Sequence, residues 1–339
     1  MSYKGTFIES STNIRIENNI LYADLRREDG TYNSTSIPFN PNIEYHNING
    51  NFKISQGTFI ESSVNIRIEN NILYADLRKE DGNYNSTSII FIPNAVYDNI
   101  NGNFKIRFEE LQVYRFDKKI RCGSNNDGGY VFGELDGEYD CYISAGISNE
   151  ESFSRDFIDK YNMNENNCFG FDGTIDDYPY NYTKKISFIK KNINNFNDNN
   201  NTNLSFLTNK YNNIFLKMDI EGGEYPWLLQ IDETQLNKFK QIVIEFHGIT
   251  NNGWGCNYND KIKCFEKLSK THYIIHAHGN NFGEIVNNIP DVIELTYINK
   301  NYFNYVPELN TQSLPIDNLD YSNNIGSNDI DLNFYPFKN

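Results

Sequence analysis

The sequence contains one segment twice, and this duplication constrains the fold more than any other feature of the chain. Residues 7–54 recur almost unchanged at residues 59–106, with a constant offset of 52 positions. A repeat of this length is usually one supersecondary unit that cannot bury its own apolar face, so the two copies are expected to pack together. Nothing after Ile106 continues the repeat. The chain is therefore predicted to have two domains, residues 1–106 and residues 107–339.

Charge and hydropathy exclude some classes of function. The net charge is −15, and residues 1–106 hold 9 Lys or Arg against 12 Asp or Glu, so −3 falls there and −12 on the rest. A chain this acidic and without a basic stripe is a poor binder of nucleic acid or anionic membranes, because such binding needs clustered Lys and Arg. No run of about 18 apolar residues occurs, so no membrane span is expected.

The five cysteines are scattered without C-x-x-C spacing. This argues against a disulfide framework or a structural zinc site and favours a reducing compartment. No apolar stretch follows the first five residues, so no secretory signal is expected. These features together predict a cytoplasmic protein. No metal site is assigned from the sequence, and whether a metal assists the chemistry is left open.

Each copy of the repeat has the pattern of short strands joined by tight turns. Ile14 and Ile16 alternate with polar residues, and so do Leu21, Ala23 and Leu25. A period of two predicts strands with one buried face. Asp-Gly and Asn-Gly pairs stand between these runs, and such pairs tolerate the positive φ angles that hairpin turns require.

The repeated string F-x-E-S-S-x-N-I-R-I…L-x-A-D-L-R…E-D-G-x-Y-N-S-T-S-I…N-I-N-G-N-F-K-I closely resembles the cyanovirin-N homology family. The resemblance covers residues 1–106 and implies one pseudo-symmetric, mostly β lectin built from two tandem repeats. The sequence departs from the family's founding members, which carry a disulfide in each repeat at positions matching Ser11/Leu25 and Ser63/Leu77. None of the four is cysteine, so Leu25 and Leu77 are expected to compensate by packing.

Carbohydrate sites in this family lie near the start of each repeat and beside the strand that precedes the Asp-Gly turn. Short polar and charged side chains at strand edges can hydrogen-bond sugar hydroxyls. The alternative is a solvated sheet face without a ligand. The resemblance therefore implies a carbohydrate or glycoconjugate partner without specifying the sugar. The residues matched by position are Glu9, Ser10, Arg26, Glu28, Glu61, Ser62, Arg78 and Glu80.

From about Tyr139 the pattern changes to alternating strands and helices. This succession predicts a mostly parallel, doubly wound α/β sheet of the Rossmann type. A capping box is expected at Ser148 and Glu151. Strands are predicted over residues 139–147, 168–172, 204–207, 214–219, 239–247, 273–277 and 292–298, and helices from residue 150, over 184–196, after 219 and over 260–269.

Polar residues follow the ends of these strands, where doubly wound sheets bind their ligands. An acid at the end of the second strand commonly accepts hydrogen bonds from ribose hydroxyls. The G-x-G-x-x-G phosphate-binding fingerprint is absent, so a nucleoside without phosphates is favoured over a dinucleotide. The polar residues are Asn149 and Glu150 after the first strand, with Gly146 in the same turn, Asp172 after the second, and Asp219, Glu221, Glu224, Glu245 and His247 at the ends of later strands.

Five segments of the second half resemble FkbM-type methyltransferases. They are L-K-M-D-I-E-G-G-E (216–224), R-C-G-S-N-N-D-G-G-Y-V (121–131), Y-I-S-A-G-I-S-N-E-E-S-F (142–153), I-H-A-H-G-N-N (275–281) and P-D-V-I-E-L-T-Y (290–297). The resemblance implies a class I enzyme that uses S-adenosyl-L-methionine to methylate oxygen on small molecules or sugars. By position, the cofactor would lie against Gly146, Asn149 and Glu150, with Asp172 on the ribose and Asp219 beside the methyl end.

O-methylation needs an acceptor hydroxyl that is aligned with the sulfonium and relieved of its proton. His247 is the preferred base because an unperturbed imidazole titrates near neutrality. Glu221, Glu245 and His278 are the reserve candidates for the base. Asp219, expected beside the methyl end, completes the predicted catalytic group with His247 and Glu221.

Some of these residues have structural interpretations as well. His276 and His278 face the same side of one strand, which is more typical of a hydrogen-bonded strand end than of a substrate wall or half a metal site. Trp254 is either a lid over the acceptor or a loop anchor. Glu224 is either catalytic or paired with Arg121.

The sequence thus predicts a carbohydrate-binding module joined to an S-adenosyl-L-methionine-dependent methyltransferase that acts on a sugar hydroxyl. The alternative is a glycan-binding protein whose Rossmann-like half is a degenerate scaffold. A nicotinamide enzyme is disfavoured because the phosphate-binding glycines are missing.

Overall fold

The chain folds into two compact units, Met1–Glu109 and Glu110–Asn339. The computed structural model describes residues 6–17, 20–27, 29–38, 45–54, 59, 62–69, 72–91, 97–106, 108–180, 185–286 and 289–339. Within these ranges, no helix has the length and apolar character that crossing a bilayer requires.

The first unit consists of antiparallel sheets in two matching sets, one for each repeat. Each set has a three-stranded sheet and a two-stranded hairpin. A 3-10 helix, Thr6–Ser10, precedes the first strand. The mostly β architecture predicted for this half is confirmed. The strands are β1 Ser11–Glu17, β2 Ile20–Arg26, β3 Tyr32–Pro38, β4 Tyr45–Ile48, β5 Asn51–Ile54, β6 Ser63–Glu69, β7 Ile72–Arg78, β8 Tyr84–Ile90, β9 Tyr97–Ile100 and β10 Asn103–Ile106.

The core of the first repeat follows from the alternation along β2. Leu21 and Leu25 are fully buried, and burial of a leucine side chain stabilises a fold by roughly 1.5–3 kcal/mol. Phe7 meets the ring of Tyr45 edge-on at 6.1 Å and that of Phe52 at 5.3 Å. The matching aromatic residues of the second repeat keep distances of 6.1 and 5.3 Å. Both repeats are therefore packed in the same way.

The Asn-Gly turns have the geometry that the sequence predicts. Asn49 and Gly50 have φ angles of 48° and 83°, and Asn101 and Gly102 have 47° and 84°. Two successive residues with positive φ match the twist of the flanking strands in a hairpin, and asparagine and glycine tolerate this conformation best.

The positions that resemble a disulfide pair lie opposite each other in the sheet. Ser11 of β1 faces Leu25 of β2, and Ser63 of β6 faces Leu77 of β7. Both leucines are fully buried, which agrees with the expectation that packing replaces the cross-link.

We expect the double variant Ser11→Cys/Leu25→Cys to form a disulfide under oxidising conditions. Residues directly opposite in an antiparallel pair lie within the Cα separation that a disulfide spans. The oxidised variant should unfold at a higher denaturant concentration than its own reduced form. Its free energy of unfolding should be greater by about 3 kcal/mol for a loop of this length. Ser11→Cys alone is the control. The chain has five free cysteines of its own, so seven thiols titrated in denaturant after oxidation, instead of five, would contradict the register.

The second unit is built on a seven-stranded mixed sheet. The strands of this unit are β11 Lys119–Cys122, β12 Tyr130–Gly133, β13 Cys141–Ala145, β14 Cys168–Phe171, β15 Ser187–Ile189, β16 Asn192–Ile193, β17 Asn201–Thr202, β18 Ile214–Met218, β19 Phe239–His247, β20 His272–Gly279, β21 Ile285–Val286, β22 Ile289–Pro290 and β23 Val292–Asn299. The order of the strands in the large sheet is β15-β14-β13-β18-β19-β23-β20. The pairs from β15 to β19 are parallel, whereas β23 is antiparallel to both of its neighbours.

Helices cover both faces of this sheet. On one face, Phe157 of α1 packs on Phe215 of β18 with ring centroids 4.1 Å apart. On the other face, Phe246 of β19 contacts Tyr225 of α3 at 5.6 Å and Phe265 of α5 at 4.9 Å. The helices are α1 Ser152–Lys160, α2 Ser205–Thr208, α3 Glu224–Gln230, α4 Glu233–Leu236 and α5 Tyr258–Thr271.

Three local predictions in this half are wrong. Where a helix was expected over residues 184–196, the described residues form β15 and β16, because β15 pairs with β14 as an edge strand. Where a strand was expected over residues 204–207, the chain forms the short helix α2, Ser205–Thr208. The side chains of Thr202 and Asn203 accept hydrogen bonds from the backbone N–H groups of Leu204 and Ser205 and start this helix.

The third wrong prediction is the capping box. Ser148 has a φ of 48° and does not cap α1. Glu150 binds the first-turn N–H of Ser152 instead, at 2.6 Å. An acid in this position also interacts favourably with the helix dipole.

Candidate functional site

A cavity of about 640 Å³ lies where β13, β14 and β18 end. The strand order reverses between β13 and β18, and doubly wound sheets bind ligands at this reversal. We call this space the switch-point cavity. The residues predicted to bind a cofactor all line it, namely Gly146, Asn149, Glu150, Asp172 and Asp219.

Gly146 is required where the loop after β13 crosses the end of β18. It has a φ of 76°, and a Cβ atom there would lie 1.5 Å from the backbone oxygen of Asp219. A position with positive φ and no room for a side chain accepts only glycine. The Nζ of Lys217 donates to the Gly146 carbonyl at 3.0 Å and so holds the two strand ends together.

Asp172 is hydrogen-bonded to the backbone of the cavity wall. Its Oδ2 accepts hydrogen bonds from the N–H groups of Ile147 and Ser148 at 3.0 and 2.8 Å. Its Oδ1 accepts from the backbone N–H and the hydroxyl of Thr174 at 2.7 and 2.6 Å. A carboxylate has about four lone-pair sites, so none remains for a ribose. Asp172 therefore organises the wall of the cavity. Its binding to ribose hydroxyls stays a prediction and would require one of these hydrogen bonds to be exchanged.

These hydrogen bonds also determine the charge of Asp172. Burial alone would raise the pKa of its carboxyl, but the hydrogen bonds from Ser148, Thr174 and Ile147 lower the pKa below its ordinary value. The side chain is therefore an anion at neutral pH.

The lining of the switch-point cavity is acidic. It includes the two lysines Lys191 and Lys217, and Lys217 is already 3.5 Å from the Asp219 carboxylate. The cavity therefore has a negative potential that favours cations and repels phosphate groups. Its carboxylates are those of Asp127, Glu150, Asp172, Asp219 and Glu221.

A second cavity of about 420 Å³ adjoins the first. Both are lined by Asp127, Asp219 and Glu221. We call the second space the side cavity. It also contains His247 and Glu245, so the three residues predicted to be catalytic, Asp219, Glu221 and His247, come together at its wall.

His247 is surrounded by carboxylates. Its Nδ1 lies 3.4 Å from Glu224 Oε1, and its Nε2 lies 3.4 Å from Glu221 Oε2 and 3.6 Å from Glu245 Oε1. Burial lowers the pKa of His247, but Glu224, Asp219 and Glu221 raise it more, so the pKa lies above its ordinary value. The acidic neighbours therefore favour the protonated ring, a form that cannot accept a proton. The role of His247 as the general base stays a prediction.

The structure places Trp254 beside the side cavity and Glu224 away from Arg121. Trp254 is 44% exposed, lines the side cavity and lies 5.0 Å from the His247 ring. It therefore covers this histidine. Glu224 accepts a hydrogen bond from the N–H of Ile220 at 3.1 Å. Arg121 donates to backbone carbonyls instead, so the Glu224–Arg121 pair is wrong.

Tyr130 and Asn280 were missed as site residues. The Tyr130 hydroxyl lies 3.1 Å from Asp219 Oδ2 and 3.4 Å from Glu245 Oε2, and Asn280 Nδ2 donates to Glu245 Oε1 at 2.7 Å. Burial and the charges of Asp219 and Glu294 hold the pKa of Glu245 well above its ordinary value. Tyr130 lies in segment 121–131 and Asn280 in segment 275–281, but no spacing rule predicts that their side chains bind Glu245.

The two histidines of β20 are both hydrogen-bonded within the fold. His276 Nε2 lies 2.8 Å from Asp320 Oδ1. His278 lies 3.1 Å from Glu294 Oε2 and 3.0 Å from Asp329 Oδ1. Both rings are buried. The interpretation as a hydrogen-bonded strand end therefore fits better than a substrate wall, and His278 is not placed to act as a base.

In the first unit, an asparagine connects the residues matched to sugar sites. Asn47 Nδ2 donates to Ser10 Oγ at 2.9 Å and to the Arg26 carbonyl at 2.8 Å. Asn99 makes the same bonds to Ser62 and Arg78 at 2.8 Å each. The repeated N-I-N-G string is the signal that could have identified these asparagines.

The remaining matched residues are less informative. Glu9 and Glu80 lie on the exposed surface, and the N–H of Glu80 donates to Asn101 Oδ1 at 3.1 Å. Glu28 and Glu61 lie outside the residues that the structure describes.

Known proteins match the first part of the chain. The CVNH domain family matches residues 7–130. The cyanovirin-N homolog of Neurospora crassa is 30% identical over 115 residues, which are 32% of this chain and 100% of that protein. The solved N. crassa CVNH structure is 29% identical over 29% of this chain and 96% of its own, with a TM-score of 0.12. The microvirin–mannobiose complex is 22% identical over 30% and 98%, also with a TM-score of 0.12.

The buried His278 predicts a pH-dependent stability of the second unit. Burial lowers its pKa, but Glu294 and Asp329 raise the pKa well above its ordinary value. The unfolded chain releases this proton near about pH 6.5, whereas the folded chain keeps it. The stabilisation is therefore complete below about pH 6.5 and is lost as the pH rises towards the folded pKa, at about 1.4 kcal/mol per pH unit.

Tryptophan fluorescence can follow this unfolding because the chain has 2 Trp, Trp227 and Trp254, both in the second unit. His278→Gln should flatten the decline that begins above about pH 6.5 and destabilise the unit by about 3 kcal/mol at pH 6. His272→Gln is the control, since burial lowers the pKa of His272 to about 4 and it carries no proton in this range. An equally steep decline in His278→Gln would contradict the assignment.

Proposed function

Because the chain belongs to the CVNH family through its N-terminal segment, we propose that its first unit binds a carbohydrate and its second unit is an S-adenosyl-L-methionine-dependent methyltransferase. The methyl acceptor is a carbohydrate hydroxyl. The observation that carries the methyltransferase assignment is the acidic switch-point cavity, whose position and charge suit a cationic nucleoside. The resemblance of five segments to FkbM-type methyltransferases supports it.

The residues of the switch-point cavity fit this cofactor in charge and in hydrogen-bonding capacity. Five carboxylates against two lysines attract a sulfonium and oppose phosphates. Gly146 leaves the crossing of β13 and β18 free of side chains. This combination disfavours a nicotinamide dinucleotide at the same position.

Glu150 and Asn149 are the residues proposed to hold the ribose. Glu150 Oε1 accepts from Ser152 N–H, which leaves Oε2 for a ligand hydroxyl. Asn149 is exposed on the cavity wall. Asp172 contributes indirectly, since it fixes the backbone at Ile147 and Ser148.

S-adenosyl-L-methionine, when bound, supplies an electrophilic methyl group on a positively charged sulfur. Asp219 borders both cavities and would stabilise positive charge between them. The side cavity would position the acceptor hydroxyl, and Trp254 would exclude water from it.

Glu221 is the residue proposed to take the acceptor proton. Its side chain is 70% exposed, borders both cavities and is not buried as Glu245 is. The backbone of Glu221 has a φ of 54°, and non-glycine residues held in this region cluster at functional sites.

Isothermal titration of the full chain tests the cofactor. S-adenosyl-L-methionine should bind, and Glu150→Gln should weaken binding about tenfold because a charged hydrogen bond of roughly 1.4 kcal/mol is lost. Glu165→Gln changes an exposed acid outside the cavity and should bind as the wild type does. NADH should give no heat. Absence of heat with S-adenosyl-L-methionine would defeat the methyltransferase assignment.

A glycan array probed with the full chain tests the first unit. We expect the double variant Arg26→Ala/Arg78→Ala to lose the signal, because these arginines lie at the matched sugar sites of the two repeats. Arg15→Ala/Arg67→Ala is the matched control, since these exposed arginines pair with Glu17 and Glu69 outside the sites. Equal loss in both variants would indicate non-specific charge attraction.

A further inference from the structure

We propose that Asp219, Glu245 and His247 bind one divalent transition-metal ion, Mn²⁺ or Zn²⁺, at the wall of the side cavity. Each residue offers one donor atom, and the three atoms lie within 4.8 Å of one another. Asp219 follows β18, and Glu245 and His247 are on the neighbouring strand β19. Two adjacent strand ends therefore supply the whole set.

The separations between the donor atoms are close to those of a coordination shell. Donors about 2.1 Å from one ion in tetrahedral geometry lie about 3.4 Å from each other. His247 Nε2 and Glu245 Oε1 are 3.6 Å apart. The three donor atoms all lie within 4.8 Å of one another, so an ion would draw them closer by up to about 1.4 Å to reach this spacing.

His247 is the independent observation that points to a ligand. His247 is 4% exposed, and its Nε2 faces the carboxylates of Glu245 and Glu221 at 3.6 and 3.4 Å. Its Nδ1 makes no hydrogen bond among the described residues. The Oε2 of Glu224 is also buried without a partner. An ion on Nε2 would leave the proton on Nδ1, which faces Glu224 Oε1 at 3.4 Å. A carboxylate behind the second nitrogen of a histidine is the usual support of a metal ligand.

The two carboxylate ligands are held in place by neighbours. Asn280 donates to Glu245 Oε1 at 2.7 Å, and the Tyr130 hydroxyl donates to Asp219 Oδ2 at 3.1 Å. Hydrogen bonds of this kind fix the orientation of ligand oxygens before an ion binds. The site is therefore built from oriented side chains.

The charge of the surroundings also favours a cation. Asp127, Glu221 and Glu284 line the side cavity together with the proposed ligands. Lys217 Nζ, 3.5 Å from Asp219 Oδ2, is the lysine that the described residues bring to this group. Buried carboxylates without enough cations are costly, and a bound ion offsets that cost.

The donor set indicates the type of ion. Two carboxylate oxygens and one imidazole suit Mn²⁺ or Zn²⁺, whereas Mg²⁺ and Ca²⁺ prefer oxygen ligands throughout. Three protein ligands leave open positions, and the side cavity of about 420 Å³ gives an acceptor oxygen access to them. On the proposed function, the ion would lower the pKa of the acceptor hydroxyl and leave Glu221 to receive the proton.

Binding of the ion is measured by titrating Mn²⁺ into the chelator-treated full chain and recording the electron paramagnetic resonance signal of Mn²⁺. One Mn²⁺ should bind per chain, Zn²⁺ should displace it, and the pulsed spectrum should contain nitrogen modulation. His247→Gln should remove that modulation. Asp219→Asn, Glu245→Gln and His247→Gln should each weaken binding at least tenfold. Asp127→Asn removes a charge from the same cavity without removing a ligand, and its affinity should change less than threefold.

The wild type alone keeps the test decisive if a variant fails to fold, because Mn²⁺ should raise its unfolding temperature. Absence of Mn²⁺ and Zn²⁺ binding, or equal binding in all variants, would overturn the site. Titration of S-adenosyl-L-methionine with and without the ion separates the two proposals. Nucleoside binding without ion binding defeats the metal site, and ion binding without nucleoside binding defeats the methyltransferase.

Discussion

The close approach of Gly146 to Asp219 is the constraint on which the second unit depends. Because Gly146 has no side chain, the loop after β13 can cross the end of β18. A Cβ atom at residue 146 would lie 1.5 Å from the backbone oxygen of Asp219. Lys217 and Asp172 then hold the neighbouring backbone from both sides. The carboxyl ends of three strands thus form one rigid edge, and the switch-point cavity lies along it.

The same edge explains why acidic residues accumulate there. The hairpin of β11 and β12 places Tyr130 against Asp219 and Glu245, and β19 ends beside β18. Side chains of several elements therefore meet in one buried, negatively charged group that borders both cavities. Such an environment suits a cationic nucleoside on one side and a polarised hydroxyl on the other. The chemistry proposed for this unit follows from that shared wall.

Much of this could be predicted from the sequence, because the relevant signals are local. Alternation along Leu21, Ala23 and Leu25 identifies strands, and polar residues after strands identify the edge of a sheet. The rest depends on contacts between distant segments. In the sequence, Asp172 is an acid that follows a strand, whether it binds a ribose or stabilises the backbone. Its four hydrogen bonds within the protein become visible only in the structure. Asp320 and Asp329, which bind His276 and His278, come from residues 320–329, which contain no periodic signal.

The central claim is that a phosphate-free nucleoside occupies the switch-point cavity. A crystal structure of the full chain with S-adenosylhomocysteine tests it most directly. The account predicts the adenosine between Gly146 and Glu150, with its hydroxyls on Glu150 and its sulfur facing Asp219. A ligand bound elsewhere, or a cavity closed by packed side chains at saturating concentration, would contradict it.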